Sequence, residues 1–337
     1  MKNLTCITVA LLINIATIAT SIAQNTEIEF QNPIAEQRAD PWVYKDSDGT
    51  YYLIATVPEY DRIVLRKAKT INGLKQAEEK VIWTKHPTGK MGHHIWAPEL
   101  HRIDGKWYIY FAAGEAENIW NIRMWALSLD AKDPMQSGWK EEGQVISKID
   151  SFSLDATVFE HNGKLYTIWA QNVRGGDHGT ALVMSQMKDP ITLTGPELVL
   201  TEPEFDWERV KYNVNEGPAV LKRNGKIFVT YSASATNENY CLGMMWIDED
   251  KDIMDIANWN KSPGPVFYTN EDLDRYGPGH NSFTLAEDNE TVIMIYHARD
   301  YKEIIGHELS DPNRATRARV VKWTNSGFPD FGQKTKD

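Results

Sequence analysis

The sequence predicts an all-β protein, a five-bladed β-propeller. Three observations carry that expectation. A turn dipeptide followed by an aromatic or aliphatic run recurs five times; the dipeptides stand 56, 58, 62 and 64 residues apart; and helix is nearly absent from the pattern between them. A unit of about 60 residues has room for roughly four short strands, which is one blade. A two-sheet sandwich, the rival all-β architecture, does not require a repeated unit of this period.

The copies follow one another in order. ADPWVY (39–44) leads to Asp48-Gly49 and YYLIA, and WAPELHRI (96–103) leads to Asp104-Gly105 and KWYIYFAA. LDATVFEH (154–161) leads to Asn162-Gly163 and KLYTIWA, and NEGPAVLK (215–222) to Asn224-Gly225 and KIFVTYSA. The fifth copy is degenerate: GHNSFTLA (279–286), then Asp288-Asn289, then ETVIMIYHA. Asp-Gly and Asn-Gly tolerate the positive φ of a type I′ turn, so each copy reads as a hairpin. Tyr52, Tyr108, Tyr166 and Phe228 each fall three residues after the glycine. Downstream segments (RKAKTINGL, ALSLDAKDPMQSGW, VMSQMKDPITLTGP, WIDEDKDIMDIANW, HELSDPNRATR) supply a third strand and the loop into a fourth. The copies consume the chain from Pro33 to Phe331 without a Gly/Ser- or Pro-rich linker, so residues 25–337 are expected to form a single propeller domain.

Residues 1–24 read as a cleaved secretory signal peptide: Lys2, an apolar stretch from Ile7 to Ile22, and a small-x-small site at Ser21-Ile22-Ala23. Asn14 and three threonines break the stretch, which argues against a membrane anchor. The mature protein is expected to be secreted, periplasmic or extracellular, monomeric and without membrane association. Its formal charge of −11, from 36 Lys and Arg against 47 Asp and Glu, would repel nucleic acid. Cys6 falls within the signal segment, leaving Cys241 unpaired, so a disulfide framework and thiolate metal sites are excluded. Twelve Trp beside 14 Tyr and 10 Phe are more flat side chains than a core of this size needs, and some are expected to face a ligand.

In a propeller the first strand of every blade lines a central channel, so the residues at those strand starts converge. Here they are Asp40, Glu99, Asp155, Glu216 and His280, standing 8, 5, 7, 8 and 8 positions before their dipeptides. Carboxylic acids gathered in one funnel repel one another and lose hydration, which raises the pKa of at least one, as a general acid requires. Trp42, Trp96 and Trp120 offer apolar faces for a sugar ring, and aromatic platforms beside paired carboxylates suit cleavage of glycosidic bonds. A non-catalytic sugar-binding propeller would keep the tryptophans without needing the acids. Glu99, after Pro98 and with the shortest spacing, is left out of the catalytic set. His280 reads as a channel histidine, satisfied by hydrogen bonds or holding a central ion or water.

The segments RADPW, IWAPELH, SFSLDATVF, VNEGPAVLKRNG, YGPGHNSF and DPNRATR, in this order and spacing, resemble glycoside hydrolase family 43, five-bladed propellers that cleave arabinofuranosyl and xylosyl linkages with inversion. VPEYDRIVLR, YSASAT and DPNRATR look most like the exo-acting α-L-arabinofuranosidases that trim α-1,5-arabinan. By that resemblance Asp40 matches the general base, Glu216 the general acid, and Asp155 the residue that orients the acid and raises its pKa. Arg314 matches an arginine that contacts the sugar, and His280 the channel histidine that holds water or, in many members, calcium. The chemistry needs no cofactor; a structural Ca²⁺ in the channel is the one ion implied. The implied partner is plant cell-wall polysaccharide, arabinan or arabinoxylan. β-Xylosidase and endo-arabinanase activities of the same family are the alternatives. Ala315 stands where the resemblance leads one to expect a polar residue.

Overall fold

The computed structural model describes Met1 and residues 28–337, so the signal segment lies outside the described residues. The first blade is an antiparallel meander of β1 (Ala39–Lys45), β2 (Tyr51–Thr56), β3 (Arg62–Ala68) and β4 (Lys80–Thr84). The second is β5 (His93–Ile103), β6 (Lys106–Gly114), β7 (Arg123–Leu129) and β8 (Lys140–Gln144). The third is β9 (Ser153–His161), β10 (Lys164–Gln171), β11 (Ala181–Asp189) and β12 (Thr192–Thr201). The fourth is β13 (Asn215–Arg223), β14 (Lys226–Ala233), β15 (Cys241–Asp248) and the short β16 (Asn260–Lys261). The fifth is β17 (Tyr276–Leu285), β18 (Val292–Arg299) and β19 (Ala315–Val320), with a small hairpin of β20 (Lys322–Trp323) and β21 (Pro329–Asp330) beyond it. Helix is confined to short 3-10 turns among the described residues.

The innermost strands pack in sequence around the channel, β1 on β5, β5 on β9, β9 on β13, β13 on β17 and β17 back on β1. The ring closes through the N-terminal segment. The N–H of Ile34 donates to Thr316 O (2.8 Å) and the N–H of Thr316 donates to Ala35 O (2.8 Å), so Ala35 adds a bridge to the free edge of β19. Covering that edge satisfies a row of backbone groups that would otherwise invite pairing with another chain.

The hairpins divide by loop length. In the second, third and fourth blades two residues join the strands and both take positive φ: Asp104 and Gly105 at 50° and 81°, Asn162 and Gly163 at 50° and 70°, Asn224 and Gly225 at 55° and 70°. These are the expected type I′ turns. The first and fifth connections are longer, and only their second dipeptide residue, Gly49 (φ 80°) or Asn289 (φ 60°), is left-handed. Those two are not type I′; the extra residues permit a turn closed by one left-handed position.

Five apolar clusters hold the ring, one in each interface between neighbouring blades. They also account for the tryptophans. Trp107, Trp125, Trp169 and Trp259 are buried there, and Trp83, Trp139, Trp207, Trp246 and Trp323 pack against the same clusters. A flat β-blade presents a broad face, and burying an aromatic side chain between two such faces contributes roughly 1.5–3 kcal/mol. The excess of large rings therefore serves blade packing far more than ligand contact.

Each innermost strand breaks its register near the channel mouth, and the break carries a left-handed residue: Asp40 (φ 52°), Ala97 (43°), Asp155 (56°), Gly217 (53°) and His280 (42°). Bulges of this kind re-aim a side chain and end the ladder. The freed N–H of a bulge residue is taken up by the preceding blade. Asp40 N–H donates to His297 Nδ1 (3.0 Å), Ala97 N–H to Thr56 Oγ1 (2.7 Å), Gly217 N–H to Asp155 Oδ2 (3.0 Å) and His280 N–H to Ser232 Oγ (2.7 Å). Structural equivalence across blades thus runs through Ala97 and Gly217. Glu99 and Glu216, aligned with Asp40 by spacing, sit two residues after and one residue before the bulge.

Candidate active site

A cavity of about 650 Å³ opens at the channel mouth, lined by Asp40, Asp155, Glu216, His280, Arg314 and Trp96 among others. The fold thus brings together six of the seven residues expected from the sequence. Trp42 is the exception. It lies just past the bulge of β1, where the ladder has resumed and alternation turns its side chain between the first two blades. There its indole N–H donates to Leu100 O (2.8 Å) and its ring tilts against His101 at 4.7 Å. Trp42 does not line the cavity.

The other two candidate platforms differ in depth. Trp96 is 9% exposed, sandwiched by His94 at 4.2 Å and by the edge of Tyr60 at 5.4 Å. Trp120 is 53% exposed and stands at the rim over His94.

Asp40 is buried against a guanidinium. Arg314 Nη1 lies 3.3 Å from Asp40 Oδ1, and His280 Nδ1 lies 3.4 Å from the same oxygen. Burial alone would raise this carboxyl. Arg314 above all, with the His280 and His297 imidazoles and the Thr56 hydroxyl, outweighs burial and holds it at about 2. His297 accepts the Asp40 N–H through Nδ1, which makes it the neutral tautomer protonated on Nε2. Arg314 also reaches Tyr60 Oη (3.3 Å), whose hydroxyl donates to Leu309 O (2.5 Å). Ala315, the first residue of β19, is buried opposite Ala298, a position where a small apolar side chain fits the ladder.

Glu216 behaves oppositely. Burial, reinforced by the negative charge of Asp40, pushes its carboxyl up to about 7 against the lowering effects of Tyr240 and Arg314. Asp155 is also pushed well up, by burial first and then by Glu216 and Asp40. Asp155 and Glu216 are a coupled pair: both are driven upward because a second charge in this buried space is costly, so their titration belongs to the pair. The expectation that Asp155 stands simply ionised beside a protonated Glu216 is corrected accordingly. Gly217 leaves room where these groups meet: a Cβ there would lie 3.0 Å from the His280 ring.

Glu99 is buried and paired with His101 (2.9 Å), apart from the lining of the cavity. His280 is the histidine that the resemblance links to calcium. That ion takes six to eight oxygen ligands, yet among the described residues no group of three or more His, Cys, Asp or Glu converges on a common point. His280 Nδ1 instead faces Asp40 and, at 4.0 Å, Asp155.

Sequence reasoning missed Tyr240, whose hydroxyl donates to Glu216 Oε1 (2.8 Å), and His297, which braces Asp40. A signal for His297 existed: Thr56 and Ser232 stand seven residues after their turn glycines, and His297 eight after Asn289, the same end of the second strand. For Tyr240, in a loop between β14 and β15, there was none. The site as a whole holds one carboxylate kept ionised and one carboxylic acid kept protonated in a shared cavity, the equipment for concerted base and acid catalysis.

The sequence model of the family described as glycosyl hydrolases family 43 matches residues 30–329. An extracellular exo-α-(1→5)-L-arabinofuranosidase of Streptomyces avermitilis is 52% identical over 310 residues, 92% of this chain and 64% of that protein. The chain therefore spans slightly under two thirds of that relative's length. One of the same description from Streptomyces chartreusis is 56% identical over 277 residues, 82% of this chain and 84% of its own. The crystal structure of an α-L-arabinofuranosidase from Lactobacillus brevis superposes with a TM-score of 0.88 at 47% identity, covering 91% of this chain and 97% of that one.

Proposed function

This chain belongs to glycosyl hydrolase family 43, and from that premise we propose that it is a secreted, inverting exo-α-1,5-L-arabinofuranosidase acting on arabinan and arabino-oligosaccharides. The observation that carries the reading is the opposed protonation of Asp40 and Glu216 in one cavity. Asp40, ionised, takes a proton from a water attacking the anomeric carbon. Glu216, protonated near neutral pH, gives its proton to the departing glycosidic oxygen. Asp155 accepts the Gly217 N–H beside the acid, and its own carboxyl is pushed well up by burial and by Glu216.

Arabinose as the released sugar is supported by the names of the relatives, and secretion by their description as extracellular together with the signal-like residues 1–24. Exo action is supported by the rim. Tyr60 from the first blade bonds Leu309, and Lys211 from the fourth blade pairs with the buried Glu308 at 2.7 Å. These links tie three blades together over one side of the cavity. Incubation with linear α-1,5-arabino-oligosaccharides tests the assignment: arabinose appears as the first product, whereas early mixed oligomers or xylose release from xylosides would overturn it.

Two further outcomes follow from the same reading. Proton NMR of a freshly started reaction shows the β anomer of arabinofuranose first, because an inverting pair stands roughly 6.5–9.5 Å apart and admits a water. Initial α anomer, or transfer to methanol with α retained, would mean a covalent intermediate and defeat the roles given to Asp40 and Glu216. In Asp155→Asn, Glu216 titrates as a single carboxyl, no longer held back by a second acid competing for the same buried charge, so the alkaline limb of the pH–rate profile moves to lower pH. An unmoved limb with activity merely reduced would leave Asp155 an orienting role alone.

A further inference from the structure

Glu216 is held at one oxygen only. Tyr240 Oη lies 2.8 Å from Oε1, and among the described residues Oε2 has no side-chain or backbone partner. Tyr240 is itself fixed on several sides. Its ring lies parallel to that of His297 at 5.6 Å, and Gly279 lets it pack so close that a Cβ there would come within 2.3 Å of the ring. Burial first, then the negative charges of Glu216 and Asp40, push its hydroxyl well above the ordinary phenol range, so Tyr240 is a donor at every working pH. The groups bearing on Glu216 are Tyr240, Asp40 from β1, Asp155 from β9, and Arg314 at the head of β19, with the neutral His280 ring against the adjoining Gly217. Among them Tyr240 alone makes a hydrogen bond to its carboxyl.

We infer that Tyr240 is a positioning residue for the acid: by occupying Oε1 it confines the carboxyl proton of Glu216 to Oε2, the oxygen left for the substrate. The inference rests on Glu216 acting as the general acid. A protonated carboxyl has one O–H and one carbonyl oxygen, and a donor fixed on one oxygen makes that oxygen the carbonyl. During the reaction the proton passes from Oε2 to the glycosidic oxygen, the C–O bond breaks, and Tyr240 keeps its own proton. The bond to Tyr240 then becomes one to a carboxylate and strengthens, so it stabilises the transition state more than the ground state.

Tyr240→Phe keeps the ring on Gly279 and His297 and removes only the hydroxyl. Three readouts are expected. On arabino-oligosaccharides kcat falls about tenfold with KM nearly unchanged, the size of one hydrogen bond to a charged group. On aryl arabinofuranosides with acidic phenols, which leave without protonation, the loss is smaller. The alkaline limb of kcat/KM rises by about one pH unit, since the ionised carboxylate has lost a donor, and so moves opposite to the limb in Asp155→Asn. The limb position and the ratio between leaving groups are both independent of the fraction of protein folded. A limb unmoved or lowered, or an equal loss on every leaving group, overturns the inference. If the wild-type enzyme proves to hydrolyse xylosides instead, the arabinose reading fails, and the same limb measured on an aryl xyloside still decides the role of Tyr240.

Discussion

Glu216→Gln is expected to lower kcat/KM on α-1,5-linked arabino-oligosaccharides by roughly 10²–10⁴-fold, the usual contribution of a general acid. The same variant keeps much more activity on aryl arabinofuranosides with acidic phenols, whose leaving groups depart as anions. Asp40→Asn has no such escape. Without a carboxylate to receive the water proton, it loses activity at least as severely on natural and aryl substrates alike. The contrast follows from placing one carboxyl at about 2 and the other at about 7 in the same cavity. Steady-state rates on a series of phenols of graded acidity read it directly. Parallel losses for both variants across the series would show that the two roles are wrongly divided.

Arg314→Leu is expected to move the acid limb of the pH–rate profile upward by about two pH units or more. Asp40 is buried, and burial opposes its charge; Arg314 at 3.3 Å is the chief reason that its carboxyl sits at about 2 rather than above the ordinary 3.8. With the guanidinium gone, desolvation wins and the base is protonated in mildly acidic solution. The sign is fixed by the role: a base works only when ionised, so raising its pKa removes activity from the acid side. Arg314→Lys, which returns a positive charge without the planar fork, restores most of the limb. A Leu variant with the wild-type acid limb would show that Arg314 does not hold Asp40 ionised, whatever it does for the sugar.

The number of blades was legible in the sequence, because a turn dipeptide before an aromatic or aliphatic run recurs five times, and at three of these Asp-Gly or Asn-Gly imposes the local geometry of a type I′ turn. The repeat also places the inner strands at the channel, where Asp40, Asp155 and His280 fall at equivalent bulge positions and Glu216 stands one residue before its own. The family segment that contains Arg314 was legible in the same way. What failed was counting by residues alone. A left-handed bulge inserts one position into each inner strand and reverses which side chains face the channel beyond it, so Glu99 and Trp42, near the right place in sequence, face elsewhere. The charge states of the acids were legible only in the folded chain. The charge state of Glu216 is set by burial, Asp40, Tyr240 and Arg314, and the three side chains come from different parts of the ring. Tyr240 became visible only when β14 and β15 were folded against β18, which lays its ring on His297 and its hydroxyl on Glu216. Turn chemistry is local and short-ranged, so it is written in neighbouring residues; a pKa is a sum over everything within several ångströms, and that neighbourhood exists only after the ring has closed.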